Sequence, residues 1–421
     1  RRRDRLGFLV DGFADPVLCK SLITAMGEGR QFTYAHGTVS CTATSVFAEL
    51  GGRDLAEMKM RPPGTEGSNT TVILGNKLFL KGYRHVREGI NPELEMGRFL
   101  TEVARFQNSV PVAGAVEYLR EDGTPMTLAL LQRYVGNQGD GWTYTMDYLE
   151  RFLHDKRLIG DTTEPPLLTD SMHKSYMATI RTLGTRTGEL HVALCMRTGD
   201  PAFDPEPVGR DDLLAWTATA RREAEQSFTL LSRRLENLPE RFRPDAEAVL
   251  AKRNEMLAAI ERLSARGVKA IKTRFHGDYH LGQVLLSEND FYIIDFEGEP
   301  ARPLSERRCK HSPFKDVAGM LRSFNYAAYA ALLKITAKMP EDFPVLEPFA
   351  RDYEEEAVEA FMLGYVTAAG ECPSYPADPD DARALIDFFV LEKALYELRY
   401  ELDNRPDWVG IPLKGILSLL A

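Results

Sequence analysis

Little in this sequence points to a secreted, membrane-spanning or nucleic-acid-binding protein. Its 421 residues hold only five cysteines, Cys19, Cys41, Cys195, Cys309 and Cys372. They are odd in number, far apart, and lack CxxC or Cys/His spacing, so they read as reduced cytoplasmic thiols rather than a disulfide framework or a zinc site. No apolar run approaches the ~18 residues of a membrane span, and no basic n-region followed by an apolar stretch opens the chain. Positive charge is also short: 52 Lys and Arg stand against 62 Asp and Glu, a net charge of -10. Beyond Arg1 to Arg3 there is no basic run, which argues against a nucleic-acid surface and leaves small molecules as the expected partners. What remains is ordinary for a globular protein, 44% hydrophobic and 27% charged, with length for two or three domains.

The most informative stretch is Phe275 to Leu304, FHGDYHLGQVLLSENDFYIIDFEGEPARPL. Two apolar runs, Val284 to Leu286 and Phe291 to Ile294, flank Ser-Glu-Asn-Asp, a hairpin signal. A hairpin should bring His276, Asp278 and Gln283 beside Asp295 and Glu297, so that three acids converge. Converging carboxylates repel one another unless a cation sits between them. The expected one is Mg2+, which takes oxygen ligands and is commonly held by one or two carboxylates plus substrate phosphates.

His-x-Asp, an amide side chain five positions after the Asp, and Asp-Phe twelve residues beyond that resemble the catalytic loop and metal-binding Asp of protein kinases. The sequence departs from that pattern twice, with Gln283 in place of Asn and Glu297 in place of Gly. More specifically, HGDYHLGQ with DFEGEP resembles the maltokinases, relatives of the aminoglycoside and choline kinases. The HGDxHxGQ string is shared with neighbouring sugar kinases, glucosamine kinases included, so it specifies the reaction more firmly than the acceptor. The resemblance implies an α+β, protein-kinase-like bilobal fold: a β-rich N-lobe with a small N-terminal cap, and a mostly helical C-lobe. The expected divisions are a cap-like subdomain at 1–54, the N-lobe at 55–136 and the C-lobe at 137–421. Because the chain starts at Arg rather than Met, it is expected to be a piece of a longer polypeptide, and some maltokinases follow a trehalose synthase domain.

Within the N-lobe, Leu55 to Arg61 and Thr70 to Leu74 read as strands joined by Pro62-Pro63-Gly64-Thr65-Glu66-Gly67-Ser68-Asn69. A GxGxxG is missing, but Gly64, Gly67, Ser68 and Asn69 supply small or donor groups suited to a phosphate cradle, as a solvated turn also would. The strand Lys77 to Tyr83 carries Lys81, which is expected to pair the ATP phosphates and to be held by a helix carboxylate. Asn91-Pro92 opens that helix as cap and first turn. Met96, Phe99, Leu100, Val103 and Phe106 form its predicted buried stripe. Glu95 is the expected partner of Lys81, with Glu93 behind it. Backbone groups around Gln132, Tyr134 and Val135 are expected at the adenine edge. In the following NQGDGW string, which resembles the maltokinase connector, Asp140 is either a ribose contact or part of an ordinary loop leading into a helix.

The C-lobe is predicted to hold helices at 142–155, 173–194, 209–237, 244–266, 347–370 and 380–402, with a further apolar helix ending near Leu332. His191 reads as structural, and Asp316 as a helix cap that braces the catalytic loop. On the last long helix, Lys393, Tyr396, Glu397 and Tyr400 recur at i, i+3, i+4 and i+7, a face too polar for a core. With Asn404, Arg405 and Trp408 it resembles the sugar-binding segment of maltokinases. His280 lies between loop packing and substrate contact, and His276 orients the loop.

Together these imply phosphorylation of maltose at its anomeric hydroxyl by ATP and Mg2+. Asp278 would be the base and Gln283, Asp295 and Glu297 the metal ligands. The alternatives are a kinase for another sugar or amino sugar such as glucosamine, or a non-catalytic sensing module.

Overall fold

A computed structural model describes residues 11–50, 58–62, 67–159 and 167–419 of the chain. The expected Gly51-Gly52 turn, residues 55–57 of the expected strand 55–61, Gly64 in its loop and the Pro165-Pro166 breaker lie outside those residues. The chain divides into two compact units, Arg1–Asn137 with Tyr292–Arg308, and Gln138–Phe291 with Cys309–Ala421.

The first unit is built on an antiparallel seven-stranded sheet. Its strands are β1 (Gln31–Tyr34), β2 (Gly37–Ala43), β3 (Met60–Arg61), β4 (Thr70–Leu74), β5 (Leu78–Gly82), β6 (Val112–Arg120) and β7 (Pro125–Arg133), in the order β1-β2-β6-β7-β5-β4-β3. Residues expected to form a separate cap therefore supply two strands of the same sheet. Side chains alternate across a strand, and the two faces bury different partners. One packs Leu74, Leu80, Val116 and Leu131 against Cys19, Ile23 and Met26 of α1 (Pro16–Gly27). The short α2 (Ser45–Glu49) follows β2. The other face gathers Val112, Ala115, Leu130 and Tyr83 around Leu94 of α3 (Pro92–Arg98). Lys81 pairs across from Leu130 in the β5-β7 register, which directs it to the α3 face.

Asn91 caps α3 as predicted, accepting from the amides of Glu93 and Leu94. The buried stripe is shorter than expected. Met96, Phe99 and Leu100 are buried, but Val103 is 47% exposed. The helix changes to a π turn over Phe99–Val103, and the wider turn rotates the following side chains out of phase.

The second unit is mostly helical. It comprises α4 (Gly141–Ile159), α5 (Leu167–Leu194), α6 (Arg210–Arg234), α7 (Arg243–Ala251), α8 (Arg253–Arg266), α10 (Phe314–Thr336), α11 (Phe343–Ala369), α12 (Pro379–Asn404) and α13 (Gly410–Ser418), with the small pair β8 (Glu206–Pro207) and β9 (Ile271–Lys272). The short α9 (Leu304–Arg307) belongs to the first unit. The predicted hairpin is present as β10 (Val284–Ser287) and β11 (Asp290–Ile293). Its two loop residues, Glu288 and Asn289, both have positive φ, at 51° and 64°, the backbone that a two-residue type I′ turn requires.

Helices α5 and α11 run side by side in the same direction: Gly184 meets Phe361, and one turn later Gly188 meets Tyr365. A Cβ at Gly184 would fall 1.9 Å from the Phe361 carbonyl oxygen, a clash that no side-chain rotation relieves. Gly184→Ala is therefore expected to cost about 3 kcal/mol, near the upper end for overpacking. Urea denaturation checks this, and an unchanged midpoint would show that the helices separate freely.

Candidate active site

In the first unit a lysine stands among three carboxylates. The Lys81 side chain, 9% exposed, donates from Nζ to Glu93 Oε2 at 2.7 Å, Asp295 Oδ1 at 3.1 Å and Glu297 Oε1 at 2.6 Å. The Tyr83 hydroxyl donates to the same Glu93 oxygen at 2.5 Å, and Asn69 Nδ2 reaches Glu297 at 3.5 Å. Desolvation alone would lower the lysine, but the attraction of Glu93, Asp295 and Glu297 outweighs it and holds the ammonium above its ordinary value. Glu93 is fully buried. Desolvation pushes its carboxyl up to about 7 against the pull of Lys81, with Asp295 and Glu297 adding to the rise.

The structure corrects one expected pairing. Glu93, not Glu95, holds Lys81, because two residues along a helix turn the side chain about 200° away. Glu95 instead receives Arg308, whose Nε and Nη2 donate to its two oxygens at 2.9 and 2.6 Å. Sequence reading also missed Tyr83. It lies two positions after Lys81 on the same strand face, so strand alternation could have found it.

Ligand oxygens of Glu93, Asp295 and Glu297 lie within 4.8 Å of one another. Three carboxylates against one ammonium leave negative charge in excess, and hard oxygen donors suit Mg2+. Asp295 has φ of 64°, a left-handed backbone unusual for a non-glycine residue and often found at functional sites. Its carbonyl accepts from the Glu297 amide at 2.8 Å, which fixes the turn carrying both acids. Of the three acids expected to converge, Asp295 and Glu297 thus cluster with Glu93, while Asp278 belongs to the second unit.

In that second unit the His-Gly-Asp loop hangs from a buried carboxylate. Asp316, near the start of α10, accepts from the amides of His276 at 2.7 Å and Gly277 at 2.9 Å. Gly277 has φ of 86°, where a side chain would be strained. His191 Nε2 lies 3.3 Å from Asp316, and its Nδ1 is 2.9 Å from the Tyr365 hydroxyl. Desolvation opposes the charge on Asp316, but His191, His276 and the Gly277 amide outweigh it and keep the carboxyl below its ordinary value. The brace expected of Asp316 is therefore present, although its side chain makes no helix-capping bond.

His276 is buried, and its Nδ1 accepts from the Asp278 amide at 3.3 Å. His280 Nδ1 accepts from the Gly282 amide at 3.0 Å, capping the turn Leu281–Gln283, and the Gln283 amide donates to the His280 carbonyl. The Asp278 carboxylate is 23% exposed, with Lys393 Nζ 4.0 Å from Oδ1.

The remaining expected contacts fall as follows. Gln132 lies in β7 paired with Phe79 and Val112. The Tyr134 amide donates to the Lys77 carbonyl, and Arg61 lies over its ring. The Val135 carbonyl accepts from Asn137 Nδ2. Ser68 is exposed. Asp140 Oδ1 accepts from the Thr143 amide at 2.7 Å, an N-cap for α4.

On α12, Lys393 and Arg399 both lie over the Tyr396 ring, and Arg405 over those of Tyr400 and Trp408. Asn404 Nδ2 donates to the Tyr400 carbonyl. Glu397 departs from the expected sugar-facing row. It is buried and accepts from Arg322 Nε and Nη2 at 2.9 and 2.7 Å, because the buried guanidinium of α10 requires a counter-charge.

No family model matches the chain. Among curated proteins it is similar to a glucosamine kinase of Mycolicibacterium smegmatis, 26% identical over 364 residues that cover 86% of this chain and 79% of the relative. It is also similar to one of Streptacidiphilus jiangxiensis, 24% identical over 361 residues, 84% of this chain and 72% of the relative. A solved glucosamine kinase in complex with glucosamine, ADP and inorganic phosphate matches with a TM-score of 0.71 at 20% identity, covering 100% of this chain and 85% of that one. A second glucosamine kinase structure matches with a TM-score of 0.70 over 96% of this chain and 81% of the other. The chain has this kinase-like α+β fold, with a β-sheet unit and a mostly helical one.

Proposed function

We propose that the chain is an ATP-dependent kinase that transfers a phosphoryl group to a sugar hydroxyl, with the amino sugar glucosamine as acceptor. The observation that carries the reading is the buried Lys81–Glu93 pair beside Asp295 and Glu297, in a chain that also holds a His-Gly-Asp loop braced by Asp316. Phosphoryl transfer is catalysed mostly by positioning and by neutralising charge, and these groups suit both tasks. Lys81 restrains the nucleotide phosphates, while Glu93 and Tyr83 fix the lysine. Asp278 accepts the proton of the attacking hydroxyl, and His276 holds the Asp278 backbone. Asp295 and Glu297 would hold Mg2+, which when bound neutralises phosphate charge. Support for an amino sugar comes from the relatives, which are named as glucosamine kinases, and from the matching structure, which contains glucosamine and ADP.

A maltose acceptor is the second reading. It rests on the tyrosine and tryptophan rings along the end of α12, which suit the C-H faces of a neutral sugar, and on Lys393, Arg399 and Arg405, which disfavour a polycation. ADP formation with glucosamine, maltose and kanamycin measured in parallel separates these. Glucosamine is expected to lead maltose by at least about tenfold, since a site built to bond an amino group discriminates strongly against its loss. A maltose lead would overturn the acceptor assignment, and ADP formation independent of any sugar would overturn the kinase assignment.

A further inference from the structure

The segment that follows the Asp295–Glu297 turn makes a second connection to α3. Glu93 and Glu95 both lie in the first turn of that helix, and at about 100° per residue they leave it in nearly opposite directions. Glu93 reaches Lys81, which also donates to Asp295 and Glu297. Glu95 receives Nε and Nη2 of Arg308, at the far end of the same segment. A carboxylate gripped by two donors of one guanidinium is fixed in direction as well as distance. The pair is shielded too, with the Glu95 side chain 14% and the Arg308 side chain 29% exposed, so it is screened less than a surface pair.

Between these two contacts the segment is folded around the neighbouring arginine. Arg307 donates from Nε to the Arg302 carbonyl at 2.8 Å, from Nη2 to the Pro300 carbonyl at 2.6 Å and from Nη1 to the Glu297 carbonyl at 3.3 Å. Arg302 Nε in turn donates to Glu299 at 2.6 Å. Charge-assisted bonds to three carbonyls hold the loop in one shape, and so fix Glu297 relative to Arg308. A closed ring results: Lys81 to Glu93, along α3 to Glu95, across to Arg308, and back through the segment to Glu297 and Lys81.

We propose that Arg308 is a positioning residue for the nucleotide site: by gripping Glu95 it sets the rotation of α3 and keeps Glu93 on Lys81, with Arg307 as the strut that ties this grip to Glu297. The inference rests on the reading of Lys81 as the phosphate anchor. Apolar packing of Leu94 against Val112, Ala115 and Leu130 sets the distance of α3 from the sheet but is non-directional. Arg98 secures the last turn, bonding Glu117 and Thr42. The first turn, where Glu93 sits, is held from the segment side by Glu95. With that turn free to rotate, the Lys81 ammonium loses its fixed place and phosphate binding weakens.

The test compares the full chain with Arg308→Met, the near-isosteric Glu95→Gln and the double variant. It measures ATP affinity by calorimetry, KM for ATP and for glucosamine, and amide exchange along α3. The dissociation constant and KM for ATP are expected to rise about tenfold in each single variant, the low end for losing a contact that supports a binding group, while KM for glucosamine stays unchanged. The double variant should lose no more than either single one, as expected of two residues acting through one contact. Exchange over residues 93–98 should quicken several-fold in all three variants while β5 and β7 keep their protection, a split that general loosening of the fold would not give. Additive losses in the double variant, unchanged exchange in α3, or variants that bind ATP as the wild type does would overturn the positioning role and leave the kinase reading standing. A wild type that binds no ATP would overturn that reading, and this inference with it.

Discussion

Asp278→Asn is expected to lower turnover by about 10²- to 10⁴-fold, the usual contribution of a general base, while leaving ATP affinity nearly unchanged. The expectation follows from how the loop is held. Asp316 and Gly277 set its backbone, His276 accepts from the Asp278 amide, and the carboxylate itself remains partly exposed. Asparagine preserves that shape and loses the proton acceptor, so the damage should fall on kcat. The Lys393 ammonium lies 4.0 Å from Oδ1. Steady-state kinetics with calorimetric ATP titration measures both effects. Turnover equal to wild type would remove Asp278 from the chemistry, and a parallel loss of ATP binding would make its role one of structure.

Lys81→Met should both disable the enzyme and weaken the fold. Removing one partner of a buried ion pair typically costs about 3–5 kcal/mol, because the other charge stays behind uncompensated. Here Glu93 is left buried, with Asp295 and Glu297 close by. The double variant Lys81→Met with Glu93→Gln removes that stranded charge and is expected to regain much of the stability but none of the nucleotide anchoring. Urea denaturation of both variants, together with ATP titration, distinguishes the two effects. If the double variant were no more stable than the single one, the carboxylate would not be the source of the loss. If both bound ATP normally, Lys81 would not be a phosphate anchor.

Features set by short-range chemistry were legible in the sequence. The Glu288-Asn289 turn, the Asn91 cap, the placement of Lys81 on a strand and the bracing role of Asp316 all depend on neighbouring residues or on well-spaced motifs. The misses came where a longer-range choice decided the outcome. Glu95 was expected to hold Lys81, with Glu93 behind it, and the phase of α3 against β5 gave the pairing to Glu93. Val103 left the buried stripe because one π turn interrupted the 3.6-residue period. Glu397 has the spacing of an exposed sugar ligand, but Arg322, far away in the chain, claims it. The acceptor was the least legible property of all, since the HGDxHxGQ string belongs to the reaction and the sugar is chosen by side chains scattered over other elements.

Phosphorus NMR of the chain incubated with ATP, Mg2+ and glucosamine is the most direct check on phosphoryl transfer to a sugar. The predicted spectrum gains a sugar phosphate ester in step with ADP, and neither signal grows when the sugar is left out. Free phosphate accumulating in place of the ester, or ATP left intact with every sugar offered, would contradict the account.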